Sequence, residues 1–171
     1  MNYFFVVAAL LLITYASCLK TSKCHIIEEP TSLTIQNRRD VVIDFKTKLD
    51  DGKWAAFAIG NGTNMQDLHA FVISRTGTHL TFRTGITKGF GKIEFDKTES
   101  IPVTTSLKGD LAHVTVQLAM HSADPSRVVL DQCQKFHVVS AGLVNNVGDI
   151  QKHQDKILSG VLCADTCGPV N

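Results

Sequence analysis

Met65 is the residue whose type and position most need a functional explanation. It lies in a short loop of Gly, Asn and Thr residues, between two apolar runs at residues 54–59 and 70–73. Methionine side chains are usually buried, where the flexible thioether fills gaps among other apolar groups. A methionine in a polar loop either packs over the end of the fold or presents its sulfur, a soft metal ligand, to a partner. Met65 is therefore a candidate site residue.

The histidines supply the other candidate ligands. His153 lies in a charged stretch, residues 152–156, which is typical of an exposed position. His69 follows Met65 by four residues and is expected to mark the polar end of the next strand. The remaining histidines show no partner pattern, and we assign no role to His25, His79, His113, His121 and His137.

Known catalytic motifs are missing from the sequence. There is no H-E-x-x-H, G-x-S-x-G or G-x-x-x-x-G-K-[ST] pattern. The adjacent acidic pairs Glu28-Glu29 and Asp50-Asp51 are typical of solvated turns. We therefore do not expect the chain to be an enzyme by itself.

The N-terminal 18 residues have the pattern of a secretory signal peptide. They carry no charged side chain, contain an apolar run at residues 4–13, and end in the small residues Ala16, Ser17 and Cys18. The run is shorter than the about 20 residues that a membrane-spanning helix needs. We predict a signal peptide at residues 1–18, cleaved after one of those three small residues, and a secreted mature protein with no membrane span.

Cysteine usage fits an oxidising compartment. Four cysteines follow the signal peptide, and an even number there predicts two disulfides with three pairings open, among Cys24, Cys133, Cys163 and Cys167. The alternative is a zinc site at the C-x-x-x-C of residues 163–167, although zinc usually takes tighter spacing and a second pair. Asn61-Gly62-Thr63 is an N-glycosylation acceptor.

The charge distribution excludes some partners. The 17 basic residues nearly balance the 16 acidic ones, and neither sign clusters. A nucleic-acid surface or a basic membrane patch is therefore not expected. The rest of the chain, residues 25–167, is long enough for one domain with its own core.

Period-two patterning dominates this domain and predicts strands. Residues 41–49 alternate apolar side chains with Asp44, Lys46 and Lys48, and residues 111–120 repeat the pattern. Turn residues such as Asp51-Gly52 separate these runs. We predict an all-β, Ig-like antiparallel β-sandwich with one short helix candidate at residues 149–158. The expected core includes Ile43, Phe45, Trp54, Phe57, Val114, Val116 and Leu118.

The order of these parts resembles the DOMON family, which includes the cytochrome domain of cellobiose dehydrogenase and the N-terminal domain of dopamine β-monooxygenase. A family-like W-x-A-F-x-I-G strand occupies residues 54–60, and M-x-D-x-x-A-x-V follows from Met65 to Val72. Near the C-terminus comes His153, with Gly160 beyond it. The resemblance covers residues 30–162.

The resemblance implies a cofactor. In haem-binding members a methionine and a histidine are the axial ligands of a b-type haem, which places Met65 and His153 in those roles. A thioether and an imidazole suit a six-coordinate, electron-transferring iron, and the absence of C-x-x-C-H implies non-covalent binding. We expect Met65 to face a pocket at one end of the sandwich, near His153. We also expect the protein to have a redox partner protein. The alternative is a haem-free extracellular module that recognises carbohydrate or a protein.

Overall fold

A computed structural model describes residues 22–28, 31–37, 40–62, 65–89, 93–97, 101–119, 132–145, 149–153, 157–163 and 167–169. The predicted signal peptide lies outside these residues. Within the described ranges the chain forms twelve β-strands and no helix. These ranges therefore contain no helix that is long and apolar enough to cross a membrane.

The strands follow one another along the chain with short connections between most of them. In order they are β1 (Ser22–Glu28), β2 (Thr31–Asn37), β3 (Asp40–Lys48), β4 (Lys53–Gly60), β5 (Gln66–Thr76), β6 (His79–Lys88), β7 (Ile93–Phe95), β8 (Val103–Lys108), β9 (Leu111–Ala119), β10 (Gln134–Leu143), β11 (Ile157–Leu162) and β12 (Cys167–Pro169).

Two antiparallel sheets make up the fold. One has five strands in the order β1-β2-β3-β9-β8, and the other has seven in the order β12-β11-β10-β4-β5-β6-β7. The predicted all-β antiparallel sandwich is confirmed. Strands β1, β8, β11 and β12 were not predicted from the sequence.

Aromatic side chains join the two sheets in the core. The ring of Phe45 on β3 meets the edge of Phe57 on β4 at 5.4 Å between centroids. Phe57 in turn stacks on Phe71 of the neighbouring strand at 4.5 Å. All seven predicted core residues are at most 5% exposed, which confirms that they are buried. Six of them lie between the sheets, as alternation along a strand requires, whereas Trp54 lies on the opposite face of β4.

Strand β4 is buried on both faces. Ala55, Phe57 and Ile59 point into the core between the sheets. The alternate residues of β4 belong instead to a second apolar group, the outer cluster, formed by Trp54, Ala56, Ala58, Leu68, Ala70, Val72 and Val139. A strand that is covered on both faces reads as a continuous apolar run, which explains the pattern of residues 54–59.

The helix candidate at residues 149–158 does not form in the part that is described. Ile150 makes an isolated antiparallel bridge with Val144. Ile157 and Leu158 begin β11, where they pack on opposite sides, Ile157 on the outer cluster and Leu158 on the core. A helix could not divide two adjacent apolar side chains between opposite faces of one sheet. Tertiary packing therefore overrides the helical pattern.

Candidate functional site

A cavity of about 510 Å³ lies over the outer cluster. We call it the outer-face cavity, because its floor is the face of the seven-stranded sheet that points away from the core. It lies on this face rather than at the end of the sandwich, where we had expected a pocket. Ligand-binding pockets commonly have volumes of about 300–1,000 Å³, so its size suits a small molecule or cofactor.

Small side chains at the sheet centre give the cavity its depth. Ala56, Ala58 and Ala70 line it from neighbouring strands, with Ala58 and Ala70 directly opposite each other. Larger apolar side chains form the walls on either side: Trp54, Ile93, Phe95, Val139, Ile150 and Ile157. The outer face of a β-sandwich is usually polar and solvated. An apolar, concave outer face therefore indicates a binding site.

Met65 reaches this cavity from the turn before β5. Its side chain is half-buried and packs against the outer cluster. The backbone is left-handed at both Met65 (φ 58°) and Asp67 (φ 55°), which is uncommon for residues other than glycine. Residues in this conformation cluster at functional sites, where the surrounding structure holds them.

Close contacts fix the backbone around Met65. The carbonyl oxygen of Met65 accepts a hydrogen bond from the amide of Gly89 at 3.1 Å. The amide of Leu68 donates to Oγ1 of Thr87 at 3.0 Å. Gly62 lies so close to the chain that a Cβ there would collide with the carbonyl oxygen of Gln66. The loop is therefore closed on itself and tied to β6.

His153, which is distant from Met65 in sequence, lines the same cavity. It lies in residues 149–153, which we call the cover segment, and is half-buried. Its ring meets the indole of Trp54 edge-on, at 6.4 Å between centroids and 78° between planes. The structure thus brings Met65 and His153 to one cavity, with a thioether and an imidazole available to it.

His137 is a further cavity residue that the sequence did not reveal. It lies on β10 opposite Ala58, and its Nδ1 is hydrogen-bonded to Oγ of Ser159 at 2.7 Å. Burial lowers the pKa of His137, and the positive charge of Lys135 lowers it further. Both effects favour the neutral form of the imidazole. Its alternation with the core residues Phe136 and Val138 is visible in the sequence, but no partner pattern there assigns it a role.

The other described histidines lie away from this cavity. Burial lowers the pKa of His69, with Asp96 acting in the opposite direction, but His69 does not line the cavity. His113 lies on the five-stranded sheet, with Nε2 3.1 Å from Oδ1 of Asp44. Burial raises the pKa of that carboxyl, but hydrogen bonds from Thr115 and His113, together with the charges of His113 and Lys46, hold the pKa below its ordinary value. Within the described ranges no three His, Cys, Asp or Glu side chains gather at a metal site.

One disulfide joins the neighbouring strands β10 and β11 of the seven-stranded sheet. Cys133, just before β10, is bonded to Cys163, just after β11. This bond excludes Cys163 from the zinc site considered as an alternative. The side chains of Cys24 and Cys167 lie outside the described part of the structure.

Comparison with known proteins establishes the family. No family model matches the chain. The chain is 33% identical over 152 residues to a DOMON domain-containing protein of Caenorhabditis briggsae. This alignment covers 86% of this chain and 82% of that protein. It is 26% identical over 168 residues to a second such protein, of Caenorhabditis elegans, covering 95% and 92% of the two chains. The chain therefore belongs to the DOMON family.

A solved structure agrees on the fold. The cytochrome domain of Myriococcum thermophilum cellobiose dehydrogenase matches with a TM-score of 0.52 at 10% identity, over 88% of this chain and 83% of that one. The resemblance inferred from residues 30–162 is thus confirmed for the fold and the family.

Proposed function

We propose that this DOMON domain binds a b-type haem in the outer-face cavity, with Met65 and His153 as the axial ligands. The observation that carries the proposal is that both side chains line one apolar cavity, although they are far apart in sequence. We further propose that the protein transfers electrons to or from a redox partner protein, or binds haem for another use, rather than acting as an enzyme.

The residues of the cavity suit haem in three respects. The thioether and imidazole form a ligand pair that iron accepts. The walls are mainly apolar, as the flat macrocycle requires. Lys152 and Asp149 line the cavity as its charged groups, and Lys152 is exposed, where it could pair with a carboxylate of haem. The volume of about 510 Å³ is in the range of small-molecule sites.

Each of these groups has a distinct chemical role. When bound, haem iron supplies reversible one-electron transfer. The Met65 sulfur would favour the reduced state and so raise the potential. The His153 imidazole would be the second protein ligand, and with both ligands bound no coordination site would be left for oxygen. The apolar walls exclude water and lower the local dielectric, which also tunes the potential.

A secreted location is part of the proposal. The Cys133–Cys163 disulfide is of a kind that forms and persists in oxidising compartments. The signal-peptide pattern of residues 1–18 agrees with export. We therefore place the domain outside the cytoplasm.

Hemin titration of the purified protein tests the haem proposal. Trp54, the single tryptophan of the chain, lines the cavity, so its fluorescence should be quenched as a Soret band grows. After reduction with dithionite, sharp α and β bands should appear. Met65→Leu and His153→Ala should each abolish this six-coordinate spectrum and retain the circular dichroism of the fold.

His79→Ala is the matched control, because His79 is exposed and does not line the cavity. It should bind hemin as the unaltered protein does. Six-coordinate spectra that survive in both the Met65 and the His153 variants would contradict the assignment of ligands. Failure of the unaltered protein to quench or to develop a Soret band would contradict haem binding altogether.

A haem-free binding module is the second candidate function. The observation that favours it is the His137–Ser159 pair, in which the imidazole that lines the cavity is held by a hydrogen bond to the serine hydroxyl. Such a pair could hydrogen-bond a hydroxyl of a small ligand such as a sugar. Quenching of Trp54 by a sugar but not by hemin would favour this function.

A further inference from the structure

Trp54 contacts the cover segment at two points. Its indole Nε1–H donates a hydrogen bond to the carbonyl oxygen of Gln151 at 2.9 Å. Its ring also meets the ring of His153, two residues further on. The indole is 5% exposed, so both contacts are made within the wall of the cavity.

Gly142 makes room for this indole. A Cβ built on Gly142 would collide with Nε1 and Cε2 of Trp54, so the indole lies against bare backbone. The pairing of β10 with β4 shifts register between Val139 and Gly142, which marks a β-bulge. A bulge bends its strand and re-aims the residues around it. The bulge and the missing side chain together form a slot for the indole.

Backbone hydrogen bonds tie the start of the cover segment to the end of β10. The amide of Gln151 donates to the carbonyl oxygen of Leu143 at 2.8 Å. The amide of Asn145 donates to the backbone carbonyl oxygen of Asp149 at 2.9 Å. Gln151 thus has its amide held by β10 and its carbonyl held by Trp54. His153 lies two residues after this doubly held residue, so its direction depends on both bonds.

We propose that Trp54 is a positioning residue that holds His153 over the outer-face cavity, and that Gly142 is glycine in order to admit the indole. This assigns Trp54 a role beyond core packing. The role as positioning residue stands on the contacts alone. The further consequence, that Trp54 holds His153 where it would bind haem iron, rests on the proposed function.

Trp54→Phe and Gly142→Ala test the proposal by different routes. Trp54→Phe keeps an aromatic ring in the wall but removes the indole N–H group together with the volume of the second ring. Gly142→Ala keeps the N–H group and forces the indole out of its slot. Gly109→Ala is the matched control: it places a side chain at a left-handed glycine (φ 62°) in the β8–β9 turn, with nothing within 4 Å. It should reduce stability through backbone strain without affecting the cavity.

The first measurement is amide hydrogen exchange in the haem-free protein. Loss of one net hydrogen bond should speed exchange at residues 149–153 by about three- to tenfold in both cavity variants. Gly109→Ala should leave the exchange of this segment, relative to global unfolding, unchanged. Unchanged exchange of the segment in Trp54→Phe, with a lowered melting temperature, would overturn the proposal and make Trp54 a packing residue.

The second measurement is the spectrum with hemin. Both cavity variants should lose six-coordinate character, and added imidazole should restore it, because free imidazole can take the place of a displaced His153. Faster exchange without any hemin binding by the unaltered protein would support the positioning role and overturn the haem proposal. Normal exchange and a normal hemin spectrum in both variants would overturn the positioning role and leave haem binding intact.

Discussion

The left-handed backbone of Met65 predicts that Met65→Gly will be more stable than Met65→Ala in the haem-free protein. Both substitutions remove the thioether, so they differ only in the backbone preference of the new residue. At φ 58° an alanine carries strain of about 1–2 kcal/mol that a glycine avoids. The greater freedom of glycine in the unfolded chain offsets about 0.4–1 kcal/mol of this gain.

The net difference is therefore about 1 kcal/mol in the free energy of unfolding, in favour of glycine. For a domain of this size it corresponds to a rise in melting temperature of about 2–4 °C. Thermal unfolding followed by circular dichroism, without hemin, measures it. With hemin, the unaltered protein should gain the most stability, because a ligand at a hundred times its Kd stabilises by about 2.7 kcal/mol and both variants lack the Met65 sulfur.

Asp67 provides the control for this comparison. It shares the left-handed backbone (φ 55°) but is exposed and does not line the cavity. Asp67→Gly should also be more stable than Asp67→Ala, with hemin binding unchanged in both. Equal stability of the two Met65 variants would refute the strain argument, and a normal hemin spectrum in Met65→Gly would refute the ligand role.

Three further predictions concern the disulfides, the pH dependence and glycosylation. Peptide mapping without reductant should find Cys24 bonded to Cys167, because the other two cysteines are paired and strands β1 and β12 lie in contact; free thiols at either position would contradict this. Stability should fall as the pH drops below the ordinary histidine pKa of about 6.5, because the lowered pKa of His137 in the folded state lets the unfolded chain bind more protons. His137→Gln should flatten that slope in thermal unfolding curves, and an unchanged slope would assign it to other groups. Expression in a eukaryotic secretory host should add an N-glycan at the exposed Asn61, detected as a mass loss on deglycosylation that Asn61→Gln removes.

Much of the fold could be predicted because strand alternation is a local property. In β3 and β9 the core residues recur at every second position, so the sequence alone indicates which side chains share the core face. Phe45 and Val114 were assigned correctly on this basis, and the register of the structure pairs them directly. Met65 was also visible from the sequence, because it is an apolar residue in a polar loop.

Only the tertiary structure decided what covers the second face of a strand. Strand β4 pairs with β5, its neighbour in sequence, and with β10, which is distant in sequence, and this pairing brings His137 beside Ala58. Backbone pairing with the end of β10 also holds the cover segment over the cavity, although its sequence pattern is helical. Periodicity reports which side chains share a face, but the partner of that face is set by contacts between distant parts of the chain. The sequence therefore determined most of the strands and, through the family resemblance, indicated Met65 and His153, whereas the cavity that both residues line exists only because sheet pairing brings distant segments together.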